Sequence, residues 1–123
     1  MSTFTLNTKV YNGVGFNTNG QSVFKNTTAA FPSGFSYLTS SVKTPTGGKD
    51  SVIRYNLSVP HIAAEPTSCA CPGGVLGTDY VRLEVSVSAA SSQADREDLY
   101  LRILNLVQDL KFKASVETLV QPT

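Results

Sequence analysis

The sequence predicts an α+β fold in which antiparallel strands are followed by a helical C-terminal third, and three observations carry that prediction. Residues 80–88, Tyr-Val-Arg-Leu-Glu-Val-Ser-Val-Ser, alternate polar and apolar almost without a break, the period of a strand with one dry and one wet face. Residues 51–59 repeat the pattern, with Ile53, Tyr55, Leu57 and Val59 on one side and Arg54, Asn56 and Ser58 on the other. After Ser91-Ser92 the period changes: Leu99, Ile103, Leu106, Val107 and Leu110 recur at helical spacing.

Taken in order, Phe4, Leu6 and Val10 suggest a first strand, Asn12-Gly13 a tight turn, and Val14-Gly15-Phe16 a return strand. Asn19-Gly20 is a second turn signal before a short strand at 22–27, and Phe31-Pro32-Ser33-Gly34 reads as a loop. Residues 35–43 form another strand, with Leu38 and Val42 on one side and Tyr37, Thr39, Ser41 and Lys43 on the other. A Pro/Gly-rich turn at 44–50 leads into the strand at 51–59. From Pro60 to about Thr78 the chain reads as a long irregular loop, holding Pro66, Pro72, Gly73, Gly74 and Gly77. Loops of more than about 12–15 residues usually have a function of their own. Ser92 is a candidate helix N-cap with Asp95 three residues on. Lys111 and Lys113 suit the negative end of the same helix, and a short second helix is expected at 115–120.

Bulk composition narrows the function. One domain is expected from 123 residues, and 41% apolar with 15% charged content argues against wholesale disorder. A net charge of +1 excludes a globally basic nucleic-acid binder but leaves room for a local patch. Met1-Ser2-Thr3-Phe4 carries no signal-peptide pattern and no apolar run approaches a membrane span, so a cytoplasmic protein without a membrane partner is the expectation. An enzyme is poorly supported. His61 is the sole histidine, without a nearby nucleophile in sequence, and neither a phosphate-cradling glycine motif nor a metal-ligand set stands out, so no cofactor is expected. Cys69 and Cys71 flank Ala70 in the long loop, a spacing that rarely meets disulfide geometry within one chain. Free thiols, cross-links to other chains and, least well supplied with ligands, a metal site all stay open.

Geometry then implies a partner. Strands of eight or nine residues are about 26–30 Å long, whereas a helix is about 10–12 Å across. One long and one short helix cannot shield the dry face of a five- or six-stranded sheet. The simplest cover is a second copy of the chain, so an obligate homodimer is expected.

The ordered set of features resembles the coat proteins of single-stranded RNA bacteriophages (levivirus-like). Ile53-Arg54-Tyr55-Asn56-Leu57-Ser58-Val59 resembles the family's central strand, and Cys69-Ala70-Cys71 stands where several members carry paired loop cysteines. Tyr80-Val81-Arg82-Leu83-Glu84-Val85-Ser86-Val87 is similar to a strand lining the RNA site in some members. Leu99-Tyr100-Leu101-Arg102-Ile103-Leu104-Asn105-Leu106-Val107 is similar to the helix that clasps the partner subunit. The resemblance implies an N-terminal β-hairpin, a five-stranded antiparallel sheet and two C-terminal α-helices, interlocked as a dimer. Along this single domain it gives residues 1–30 to the hairpin and first sheet strand, 34–88 to the main sheet with loop 60–78, and 92–121 to the helices.

Such a protein forms dimers that assemble into an icosahedral shell around genomic RNA, in a virion put together in the bacterial host cytoplasm. Studied members also repress translation by binding an RNA hairpin. The implied RNA-facing residues are Tyr37, Thr39, Ser41, Lys43, Arg54, Asn56, Ser58, Tyr80, Arg82 and Glu84. Lys43 and Arg54 suit phosphates. Tyr80 suits an unpaired base or rests on the sheet. Glu84 accepts from a base amino group or pairs with Arg82 or Arg54. Leu99, Ile103, Leu106, Val107 and Leu110 are the implied dimer core, and Cys69 and Cys71 the inter-subunit disulfide candidates. His61 is expected to be a strand-end residue without further role. The rival reading is a small dimeric RNA-binding regulator that forms no shell.

Overall fold

A computed structural model of the chain describes residues 3–29, 32–45, 47–62 and 74–122. Strands β1 (Thr3–Leu6), β2 (Lys9–Phe16), β3 (Ser22–Asn26), β4 (Ser36–Lys43), β5 (Ser51–Ile62) and β6 (Val75–Val87) precede helices α1 (Gln93–Gln108) and α2 (Leu110–Thr118). The strands lie side by side in chain order as one six-stranded sheet, the hairpin β1–β2 being continuous with the rest. The chain divides into two compact units, Met1–Ser86 and Val87–Thr123.

In the first unit the opening turn is not at Asn12-Gly13. Leu6 pairs with Lys9, so the turn is Asn7-Thr8, both residues with positive φ (49° and 65°). That geometry matches the right-handed twist of a two-residue hairpin, and the Thr8 hydroxyl donates to the Asn7 carbonyl at 2.6 Å. Packing overrides the Asn-Gly signal: this register sets Phe4 opposite Tyr11, and both join the buried cluster. Gly13 instead pairs with Phe24, next to a bulge where Gly15 takes φ 114°. The Asn19-Gly20 turn forms as expected. Asn17 accepts the amides of Asn19 and Gln21 on its side-chain oxygen, and Gly20 has φ 76°.

The sheet curls. β1 and β5 are four strands apart, about 19 Å on a flat sheet, yet the Phe4 and Tyr55 ring centroids are 6.5 Å apart. The N-terminal hairpin therefore folds back over the apolar face of β3–β5, with the β2 bulge supplying local bend and twist. Tyr11, Phe24 and Leu38 are the buried core under it, with Phe4, Leu6, Tyr55 and Leu57 packed around them. Phe4 meets Phe24 edge-on at 4.8 Å, an arrangement worth about 0.5–1.5 kcal/mol beyond the area it buries.

A polar relay crosses this core. The Ser36 hydroxyl donates to the Ser58 carbonyl at 2.6 Å, which uses its single proton, so the Tyr11 hydroxyl, 2.7 Å away, is the donor to Ser36. Beside it, buried Asn26 donates to the Val10 carbonyl and accepts from Thr28. The relay ties β2 to β4 by a side chain–side chain bond and β4 to the backbone of β5.

At the other end of the unit, β5 continues to Ile62 and β6 starts at Val75, so both flanks of the stretch expected as loop are strand. Pro60 is accommodated inside β5 because β4 starts at Ser36 and pairs Tyr37 with Ser58; Pro60 lies beyond the first residue of β4, where a missing N–H costs β4 no ladder bond. The middle of the loop, including Cys69 and Cys71, lies outside the described residues. His61 is more than a strand end: its Nε2 is 2.6 Å from Asp79 Oδ2 on β6. This contact and the Arg54–Glu84 contact join later β5 positions to earlier β6 positions, which makes the two strands antiparallel.

The second unit begins with the expected capping box, the Ser92 hydroxyl accepting from Asp95 N and the Asp95 carboxylate from Ser92 N. The helix stops earlier than expected. Asp109 turns extended (ψ 138°) and its carboxylate caps α2 by accepting from Lys111 N at 2.8 Å. Leu110, Lys111 and Lys113 thus belong to α2 and not to the end of α1. Both helices lack a buried residue. Leu106 and Leu110 are 61% and 77% exposed, and Tyr100, Leu101, Val107, Phe112 and Val116 are also exposed.

Two consequences are measurable. Tyr11→Phe removes one buried hydrogen bond and is expected to cost about 1 kcal/mol in urea unfolding. Ser36→Ala costs more, about 1–3 kcal/mol, because it strands the Tyr11 hydroxyl. The second concerns acid. The Ser92 backbone N–H, then its hydroxyl, then the Arg96 charge hold the Asp95 carboxyl below its ordinary 3.8. A lowered folded-state value stabilises the cap above that pH and is lost as pH falls through it. Amide exchange at the start of α1 is therefore expected to rise in acid, and the step is expected to vanish in Asp95→Asn.

Candidate nucleic-acid interface

Strand register decides which side chains share a face. Tyr37 pairs with Ser58, Thr39 with Asn56 and Ser41 with Arg54, while Lys43 follows at the same parity on β4. Leu38 pairs with Leu57 and Val42 with Ile53 on the opposite face, the one the hairpin folds over. On β6, Glu84 touches Arg54, so the alternation sets Tyr80, Arg82 and Glu84 on the polar face. Every polar-face candidate from the sequence is thus gathered on one side of β4, β5 and β6.

The electrostatics of this face are modest. Arg54 Nε lies 3.2 Å from Glu84 Oε2, with both side chains about half exposed (43% and 56%). Of the pairings open to Glu84, Arg54 is the one formed, and it offsets one of the face's positive charges. Such an exposed pair contributes about 0–1 kcal/mol to stability, so its importance lies in charge placement. Arg82 lies over Tyr80, its guanidinium carbon 5.2 Å from the ring centroid. Tyr37, Thr39, Asn56, Ser58, Tyr80 and Arg82 line a shallow concavity of about 220 Å³ that also reaches Leu57 and Val81.

Lys25 was missed in the sequence. It pairs across from Asn12 on one side and Tyr37 on the other, so the row Asn12–Lys25–Tyr37–Ser58 crosses four strands on the polar face. Its Nζ is 5.3 Å from the Phe35 ring centroid. The signal was present in Ser22-Val23-Phe24-Lys25-Asn26: once Phe24 is core, alternation turns Lys25 outward. Lys25 adds a cation to a row that otherwise ends in the neutral Ser58. With two tyrosines, polar hydroxyl and amide groups, and cations spread over β3 to β6, the face can hold phosphates and stack or hydrogen-bond unpaired bases.

The helical unit has a different character. Gln93, Arg96, Glu97, Tyr100 and Leu101 line an open, largely apolar depression on α1. Leu99 and Ile103 are half-buried, while Leu106, Val107 and Leu110 are exposed, so the expected dimer-core stripe is unburied within a single chain. Among the described residues, no cluster of three or more His, Cys, Asp or Glu could hold a metal ion, and no helix is long and apolar enough to cross a membrane.

Comparison with known proteins agrees with this geometry. The family model described as Levivirus coat protein matches residues 3–122. No curated protein matches the chain in sequence. Among solved structures, the virus-like particle of Beihai levi-like virus 21 aligns with a TM-score of 0.86 at 14% identity, covering 100% of this chain and 98% of that one. The virus-like particle of bacteriophage NT-214 aligns with a TM-score of 0.82 at 16% identity, covering 99% and 95%. The bacteriophage GA protein capsid aligns at 0.73 and 15% identity, covering 94% and 93%. At such identities the structural likeness is one of fold.

Proposed function

This chain belongs to the levivirus coat protein family and is a capsid protein, structural and not enzymatic, and from that premise we propose that its shell is built of homodimers holding single-stranded genomic RNA against the polar face of β4–β6. Self-association into a capsid is a property of the family; the dimer stage and the RNA contacts are our reading.

The observation that carries it is the segregation of the sheet. One face collects Tyr37, Thr39, Ser41, Lys43, Arg54, Asn56, Ser58, Tyr80, Arg82 and Glu84, and Lys25 extends it onto β3. Cations there draw phosphates by releasing counterions, and the polar and aromatic side chains meet exposed bases. The face also offers a platform for a hairpin loop, the contact through which a coat protein can repress translation. The buried apolar residues among the described ones are Tyr11, Phe24, Leu38 and Val87. Against that small core stand the exposed Val81 and Leu83 of β6 and the exposed apolar residues of both helices. A second copy burying Leu99, Ile103, Leu106, Val107 and Leu110 would make up the deficit. β6, 13 residues long and at the sheet's edge, invites pairing with another chain. Assembly in the host cytoplasm follows from this reading, and Cys69 and Cys71 are assigned to cross-links between neighbouring subunits.

Expression in bacteria should yield closed particles by electron microscopy, with a 260/280 nm absorbance ratio reporting packaged RNA. Soluble dimers without particles would favour the regulator reading. Lys43→Ala with Arg54→Ala is expected to lower the packaged RNA while leaving dimers intact; loss of dimers would show these residues to be on the wrong face. Non-reducing electrophoresis of the same particles should show multimer ladders, and monomer alone would remove the cysteine cross-links.

A further inference from the structure

We propose that Arg82, whose guanidinium lies over the Tyr80 ring, forms the surface on which an unpaired base of the bound RNA rests, so that the base meets the guanidinium rather than the tyrosine ring itself. The proposal rests on the RNA-binding reading and names the residue that distinguishes an unpaired strand from any other polyanion.

The argument starts from the strand. Tyr80 and Arg82 are two residues apart on β6, hence on the same face and adjacent along it. Tyr80 is 62% exposed, as a base-stacking ring should be, yet the guanidinium carbon of Arg82 sits 5.2 Å from its centroid. A base approaching that side of the ring must displace Arg82 or stack on it. Displacement forfeits the attraction between cation and ring. Stacking keeps it and adds a layer, because a guanidinium is planar, weakly hydrated and able to stack on aromatic rings and bases alike.

The surroundings suit this ladder of ring, guanidinium and base. Arg82 borders the shallow concavity with Thr39, Asn56 and Ser58, which supplies hydroxyl and amide groups beside the stacked base. The neighbouring cation Arg54 is engaged by Glu84 at 3.2 Å, so the positive charge next to the aromatic falls to Arg82. One side chain then serves two ends: it stacks by its plane and attracts the strand by its charge. Duplex RNA, whose base faces are already stacked, can use only the charge.

Substitutions separate the two contributions. Arg82→Lys keeps the charge and removes the plane; Arg82→Gln keeps a planar amide and removes the charge. Both are exposed changes, and circular dichroism reports that the fold persists. The probes are a single-stranded RNA carrying 2-aminopurine, whose fluorescence is quenched by stacking, and a duplex of equal length. Wild type is expected to bind the single strand with quenching. Arg82→Lys should bind it about tenfold more weakly, with quenching lost, the same salt slope and little change toward duplex. Arg82→Gln should retain part of the quenching while the salt slope falls by about 1. If wild type binds the single strand but Arg82→Lys matches it in affinity and quenching, Arg82 is a plain phosphate contact and the inference fails alone. If wild type binds neither probe, the RNA-binding reading fails with it.

Discussion

An apolar sheet face that must be kept from water is the constraint on which this fold turns. Strict alternation along β4, β5 and β6 leaves no choice of side: if Leu38, Leu57 and Tyr55 are dry, then Tyr37, Ser58 and Arg54 are wet. The chain answers the first half of that demand with its own N-terminus. Phe4 reaches Phe24 and Tyr55 only because the hairpin β1–β2 folds back across the sheet. The relay from Tyr11 through Ser36 to the Ser58 carbonyl then ties the curled strands together by buried hydrogen bonds. The hairpin does not cover everything. Val42, Val81 and Leu83 remain exposed on the chain's own sheet, and the helices bury nothing fully. On the proposed dimer reading, architecture and assembly are therefore one problem, since the surface left over is what a second subunit covers.

The polar face obeys a milder rule. Its cations are few, and one of them is matched by a carboxylate, so a single subunit is built for modest attraction rather than a tight grip. For a shell protein that suffices. On the proposed RNA-binding reading, many copies facing one long polyanion multiply weak contacts into strong retention by effective concentration. A strongly basic face on every subunit would instead raise the repulsion between neighbours in the shell. The Arg54–Glu84 pair keeps a cation on the polar face while limiting that repulsion.

How much of this was legible in the sequence depended on the range of the interaction involved. Period-two patterning placed strands at 35–43, 51–59 and 80–88, within a few residues of β4, of most of β5 and of the second half of β6, and sorted their faces, because alternation is a local property of the backbone. Ser92 and Asp95 announced the start of α1 for the same reason. Decisions made by distant partners were not legible. Asn12-Gly13 is a good turn signal in isolation, but the pairing of Phe4 with Tyr11 moved the turn to Asn7-Thr8. Pro60 reads as a strand terminator until one sees that it lies beyond the first residue of β4, Ser36, where β4 has no ladder bond to lose. The helical spacing runs on from Val107 to Leu110, and that the helix breaks at Asp109, which caps α2, emerged only from its extended backbone. On the polar face the alternation sorted the side chains, but Lys25 was overlooked on a short strand and the placement of the Arg82 guanidinium over the Tyr80 ring was invisible to spacing alone.

The most direct test of the account is sedimentation equilibrium of protein released from particles, taken through serial dilution with circular dichroism recorded on the same samples. If the uncovered apolar surface is what a second copy buries, folded protein should sediment as a dimer, and dilution below its dissociation constant should lose mass and structure together. A folded, cooperatively unfolding monomer at high dilution would contradict the account, because it would show that one chain shields its own sheet and helices without a partner.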